Sequence, residues 1–168
     1  MNVVVTPSLL SGTVTLPSSK SASHRAIICA ALAHGVSRIS SVSMSQDISA
    51  TVCAMRSMGA DLRFDGDDIV VRGIESAPEF ADIDCGESGS TMRFLLPVTA
   101  ALGITAKFVG RGKLPSRPIS DITDLLQKNN IQCKNHGDEN LPLTVSGQLA
   151  PAQFFIGGNV SLRSEVTT

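Results

Sequence analysis

The chain has 168 residues, 42% of them hydrophobic and 17% charged, which supplies a packed core and excludes a disordered polyelectrolyte. A formal net charge of -1 and the absence of Trp and Tyr argue against a nucleic-acid binder, which needs a basic excess or aromatic stacking platforms. No apolar run reaches about 18 residues, and the opening MNVVVTPSLLSG has no charged stretch leading a long apolar one, so a cytoplasmic protein with no membrane partner is expected.

In chain order, residues 13–16 predict a first strand. The stretch Ser18-Ser19-Lys20-Ser21 opens a helix that runs through HRAIICAALAH to Gly35. Residues 38–42 predict a second strand. A second helix opens near Ser45-Gln46-Asp47 with Asp47 as its cap, sets Ile48, Val52 and Met55 at helical spacing, and stops at Gly59. Strands at 61–64 and 69–72 follow, joined by an Asp65-Gly66 hairpin turn. A third helix opens at Gly89-Ser90-Thr91, where Ser90 can cap, carries Met92, Leu95, Leu96 and Thr99, and stops at Gly103. After a strand at 105–109, a fourth helix opens at Arg117-Pro118-Ile119 with Pro118 in the first helical position, and ends at Asn129-Asn130. Strands at 131–134 and 143–146 close the series.

The order strand, helix, strand, helix, strand, strand thus occurs twice. Arg25 falls on Arg93 and Gly35 on Gly103 at an offset of 68, Ile48 on Ile119 at 71, and Gly73 on Gly147 at 74. Each step of three is a loop insertion, where repeats tolerate length change. The fold class is therefore α/β (α+β), with units at 12–74 and 80–147 and the start of a third at 153–168.

Cationic residues gather where helices begin. A helix N-terminus offers unpaired N–H groups and about half a positive charge, a natural anion site. SSKSASHR adds Lys20 and Arg25, with Ser21 on the face of Arg25, and His24 inside the motif as a further ligand candidate. At the matched place in the second unit, GESGSTMR offers Gly89 for close backbone approach and Arg93 on the first turn. GRGKLPSRPI lacks the GxxxxGK[ST] spacing of a nucleotide-binding loop but supplies Arg111, Lys113 and Arg117 just ahead of a helix. Arg117 is suited to a bidentate grip on carboxylate or phosphate. Cys29, Cys53, Cys85 and Cys133 lack metal-ligand spacing and are expected as reduced thiols, at least three of them in the core.

LPSSKSASHRAIICAALA, GESGSTMRF and GKLPSRPI, in this order and spacing, closely resemble the signature stretches of the 5-enolpyruvylshikimate-3-phosphate synthase family, over residues 10–161. The resemblance implies an inside-out α/β barrel domain of enolpyruvyl transferase type, here incomplete, with a second domain absent. It implies transfer of the enolpyruvyl group of phosphoenolpyruvate to the 5-hydroxyl of shikimate 3-phosphate, with no metal or organic cofactor. Carried over by position, Lys20 contacts both substrates and is the catalytic candidate. Ser21, Arg25 and Ser161 hold shikimate 3-phosphate, Gly89 and Arg117 hold phosphoenolpyruvate, and Arg93 supports them. The sequence departs from the family pattern at His24, where Asn is usual, at Glu87-Ser88 in place of Asn-Ala, at Phe94 in place of Pro, and at Leu162-Arg163, to which no role is carried. The sister family acting on a UDP-amino sugar typically has a reactive Cys in the loop matching 111–117, and none stands there. A non-catalytic anion-binding module is the alternative from another class. The edge left by an incomplete third unit predicts self-association.

Overall fold

The computed structural model describes residues 3–4, 6–7, 9, 11–14 and 16–154. Along these residues run α1 (Lys20–Leu32), β1 (Val36–Ile39), α2 (Gln46–Ser57), β2 (Asp61–Asp65), β3 (Asp68–Arg72), β4 (Phe80–Asp84), α3 (Gly89–Leu102), β5 (Thr105–Val109), α4 (Ser120–Lys128), β6 (Gln132–Asn135) and β7 (Leu143–Ser146).

The sheets carry the repeat. One has the order β1-β3-β2 and the other β4-β5-β7-β6. Strands β5, β7 and β6 pair antiparallel, as β1, β3 and β2 do, and β4 adds to β5 in parallel. The second unit thus holds all six elements. Strand β4 escapes a count of β-branched residues because FADID contains one only, Ile83, yet the repeat requires a strand there.

The first unit departs from expectation at its start. Thr13, Val14 and Leu16 are irregular, and Val14 and Leu16 are 80% and 81% exposed. Strand propensity expresses packing against neighbours, and no described element packs on this segment. The start of a third unit is described only as far as Gln153 and Phe154, both irregular.

Capping serines begin three helices. Ser19, Ser45 and Ser88 accept from the amides of Ala22, Ile48 and Thr91 at 3.4, 3.3 and 3.2 Å. The caps of α2 and α3 are thus Ser45 and Ser88, not Asp47 and Ser90. A cap residue must keep extended backbone, as Ser45 and Ser88 do, whereas Asp47 and Ser90 already lie in the first turn. Helix α4 begins at Ser120, so Pro118 lies before it. The cap position falls to Ile119, which has no side-chain cap bond, because residues 114–117 are held in a turn by the amide of Arg117 on the carbonyl of Leu114.

At the far end of α3, Gly103 adopts the left-handed conformation (φ 72°) that only glycine takes without penalty. Pro97 removes one helical hydrogen bond inside α3, yet the helix continues. Phe94, Leu95, Leu96, Thr99 and Ala100 are all buried along it, and each large apolar side chain contributes about 1.5–3 kcal/mol on burial. The core continues through Ile27, Ile48, Met55, Met92 and Phe108, all fully buried. The cysteines depart from expectation: Cys85 alone is fully buried, Cys133 is half-buried, and Cys29 and Cys53 are exposed, because they lie on faces of α1 and α2 that no element among the described residues covers.

Candidate functional site

The side-chain geometry of α1 follows from its pitch. Lys20 and His24 are four apart and share one face, as do Ser21 and Arg25, and the two faces are displaced by about 100°. The first face meets α2: Lys20 Nζ lies 2.7 Å from Asp47 Oδ2. This pair is partly exposed and worth at most about 1 kcal/mol. It fixes where the ammonium stands and leaves it two further N–H groups for an anion. Asp47 therefore acts through Lys20 rather than as a cap.

The second face meets α3. The Arg25 guanidinium lies over the Phe94 ring, 5.1 Å from its centroid, a cation–π contact of roughly 0.5–1 kcal/mol. Arg25, Cys29, Phe94, Pro97 and Leu102 line an open, mostly apolar cleft of about 280 Å³ between α1 and α3. Ser21 is exposed on the opening turn of α1.

Helix α3 joins the other two at its own beginning. Thr91 Oγ1 lies 3.4 Å from the Asp47 carbonyl oxygen of α2. Gly89 occupies the first position of α3, and a Cβ there would lie 2.9 Å from Arg117 Nη1. The Arg117 guanidinium thus rests directly over the α3 N-terminus, where only a residue without a side chain leaves it room. Arg93 sits one turn further along and is half-buried.

The loop carrying Arg117 is braced from both sides. Leu114 is fully buried, and the Arg111 amide donates to the Gly86 carbonyl at 2.8 Å. Asn140 spans the loop's end: its amide donates to the Pro115 carbonyl at 2.9 Å and its side chain to the Arg117 carbonyl at 2.8 Å. Asp84 accepts from the Gly86 amide at 2.8 Å and lies 3.6 Å from Arg111. Neither Asn140 nor Asp84 was singled out by sequence. An Asn in a loop reads as a turn former, and nothing local reveals that it reaches back 23 residues.

Lys20, Gly89 and Arg117 are thus brought to helix openings linked through Asp47 and Thr91, with Arg25 one turn up α1 against Phe94. His24 departs from expectation. It is fully buried with Nδ1 2.7 Å from Thr51 Oγ1, so it faces the core and not a ligand. Burial lowers its pKa below 6.5, an effect opposed by Asp47 and reinforced by Lys20. Burial, with Asp84 adding, pushes the Cys85 thiol up to about 12, which removes the thiolate a nucleophile needs. Lys113 is exposed, and Ser161 lies outside the described residues.

Residues 4–167 match the family model described as EPSP synthase (3-phosphoshikimate 1-carboxyvinyltransferase). The chain belongs to the EPSP synthase family. Among named members it is 40% identical over 161 residues to the 3-phosphoshikimate 1-carboxyvinyltransferase of Clostridium perfringens (strain SM101 / Type A), covering 95% of this chain and 38% of that protein. It is 40% identical to the enzyme of the same name from Clostridioides difficile (strain 630), covering 92% and 38%. A solved EPSP synthase from Acinetobacter baumannii superposes with a TM-score of 0.75 at 25% identity, over 90% of this chain and 37% of that one. The chain therefore spans a little over a third of the length of the EPSP synthases it matches. The enolpyruvyl transferase fold that the family resemblance implies is what these superpositions show, over about a third of each solved chain.

Proposed function

We propose that this chain forms one wall of an active cleft that transfers the enolpyruvyl group of phosphoenolpyruvate to the 5-hydroxyl of shikimate 3-phosphate. In that reaction the 5-hydroxyl loses its proton as its oxygen bonds to C2 of the enolpyruvyl group, the bond from C2 to the phosphate oxygen breaks, and inorganic phosphate leaves carrying the balance of one proton. No electron changes hands, so the transfer calls for no redox cofactor.

The observation that carries this reading is the meeting of three helix N-termini with Lys20 and Arg117 placed at two of them. Both substrates are polyanions that repel one another in water. Fixed N–H dipoles and cations oppose that repulsion without reorganising as charge shifts. In this scheme Lys20 touches both substrates and is the catalytic residue of this wall. Ser21, Arg25 and Ser161 take shikimate 3-phosphate, Gly89 and Arg117 take phosphoenolpyruvate, and Arg93 supports the second set. In this reading the units at 12–74 and 80–147 form the wall, and the groups that move protons are assigned to the length of the relatives that this chain, covering 38% of them, does not span. A cytoplasmic location suits such metabolites. The chain alone is expected to bind and not to turn over.

Titration of the 15N-labelled chain with shikimate 3-phosphate and with phosphoenolpyruvate tests this. Amide shifts at residues 20–25 and 89–93 are expected, and their loss in Lys20→Met and Arg25→Ala with folding intact supports the assignment. A response indifferent to both substitutions points to a non-catalytic anion module instead.

A further inference from the structure

Four buried polar side chains from three helices form one line of hydrogen bonds that no ligand contact explains. His24 Nδ1 of α1 lies 2.7 Å from Thr51 Oγ1 of α2, and Thr51 Oγ1 lies 2.7 Å from Thr91 Oγ1 of α3. Thr91 Oγ1 donates to Ser88 Oγ at 2.7 Å, and Ser88 Oγ also accepts the Thr91 amide as the cap of α3. All four residues are between 0% and 1% exposed, so none reaches a ligand in solvent.

The line has a direction. A hydroxyl carries one hydrogen. Thr91 gives its hydrogen to Ser88, so Thr51 must supply the hydrogen between itself and Thr91. The donor left for the last link is an N–H on His24 Nδ1. That tautomer makes His24 Nε2 a bare lone pair. Among the described residues, Nε2 is also the buried side-chain atom without a hydrogen-bond partner.

The physical need for such a line is plain. Three helix openings brought together present like partial charges to one another, and nothing in dipole physics holds them there. Hydrogen bonds that run from His24 on α1 through Thr51 on α2 to Thr91 and Ser88 at the α3 opening supply the missing attraction.

We propose that His24, Thr51, Thr91 and Ser88 are positioning residues: their ordered hydrogen bonds hold the α3 opening, with Gly89 beneath Arg117, in register with Lys20 on α1. The assignment rests on the substrate reading above for its ligand, but its first test does not. In long-range 1H–15N spectra of the histidine rings, His24 is expected as the neutral Nδ1–H tautomer near neutral pH. An Nε2–H tautomer or an imidazolium overturns the ordering. The second test measures phosphoenolpyruvate affinity by amide shifts in Thr51→Val, which keeps shape and deletes the hydroxyl, and in Thr51→Ser, which keeps the hydroxyl. A loss of about fivefold in the Val variant, absent in the Ser variant, is expected. Equal affinity in wild type and Thr51→Val, both folded, overturns the positioning role. Thr91→Val serves if Thr51→Val does not fold, and the ring spectrum of the wild type decides if neither does. A wild-type chain that shows the expected tautomer but binds no phosphoenolpyruvate refutes the substrate assignment and with it the register claim, while leaving the order of the line standing.

Discussion

Replacing Gly89 with Ala separates binding from stability. The backbone of Gly89 is not in the left-handed region, so Ala fits it without strain and lowers the entropy of the unfolded chain, a gain of about 0.4–1 kcal/mol. The added Cβ would stand 2.9 Å from Arg117 Nη1, against the 3.4 Å at which ordinary contact begins. Backbone does not obstruct it; the end of a flexible, exposed side chain does. The guanidinium therefore yields by at least about 0.5 Å, at little cost to folding, and leaves its place over the α3 N-terminus.

A charge-assisted hydrogen bond is worth about 1.5–3 kcal/mol, and a shifted guanidinium keeps part of it, so we expect a loss of roughly 1–2 kcal/mol, or about 5- to 30-fold in phosphoenolpyruvate affinity. Thermal unfolding and ligand titration on the same samples supply both readouts. Gly89→Ala is expected to hold or raise Tm while phosphoenolpyruvate binding falls, and shikimate 3-phosphate binding, proposed to rest on α1, changes by less than about twofold. Unchanged phosphoenolpyruvate affinity alongside a raised Tm would refute the placement of Arg117 in that site.

Three further outcomes are expected. His24 takes its proton below 6.5 in the folded chain but near 6.5 when unfolded, so its contribution is intact above pH 6.5 and is lost as pH falls through it. The slope reaches at most about 1.4 kcal/mol per pH unit for one proton. Urea denaturation from about pH 8 to pH 5 should show it and His24→Asn should flatten it; equal slopes would count against burial as the cause. Cys29 and Cys53, being exposed, should react with a thiol reagent at neutral pH, while Cys85, held up to about 12, and Cys133, at about 11, should wait for unfolding. Prompt labelling of Cys85 would contradict its placement. Self-association through the edge left by the incomplete third unit is also proposed, so elution volume should fall with concentration; a monomer unaffected across a hundredfold range, about 1 to 100 μM, would dismiss it.

What the sequence made legible, and what it hid, divides by the range of the interaction. Helix stops at Gly59 and Gly103, the Asp65-Gly66 turn and the duplicated strand order depend on a few neighbouring residues, and those can be read along the chain. Caps were misplaced by two residues because several polar residues stood together and only backbone angles choose among them; Ser45 and Ser88 won because they stay extended. The stretch expected as a strand at 13–16 has the right alternation and lacks a neighbour among the described residues, which no local pattern reports.

His24 shows the limit most clearly. Within its motif it stands beside Arg25 and invites a ligand role, yet one residue along a helix is a turn of about 100°, enough to aim one side chain at the cleft and the next into the core. Its partner lies 27 residues away, and that partner's next contact lies a further 40 away. Departures from the family pattern at His24 and Ser88 look like unrelated changes when taken singly. In space they stand at the two ends of one hydrogen-bonded line, with Thr51 and Thr91 between them. A buried polar residue introduced alone costs free energy unless a partner satisfies it, so such substitutions are coupled in pairs or larger sets. The departures at His24 and Ser88 therefore meet in one hydrogen-bonded line where three helices come together.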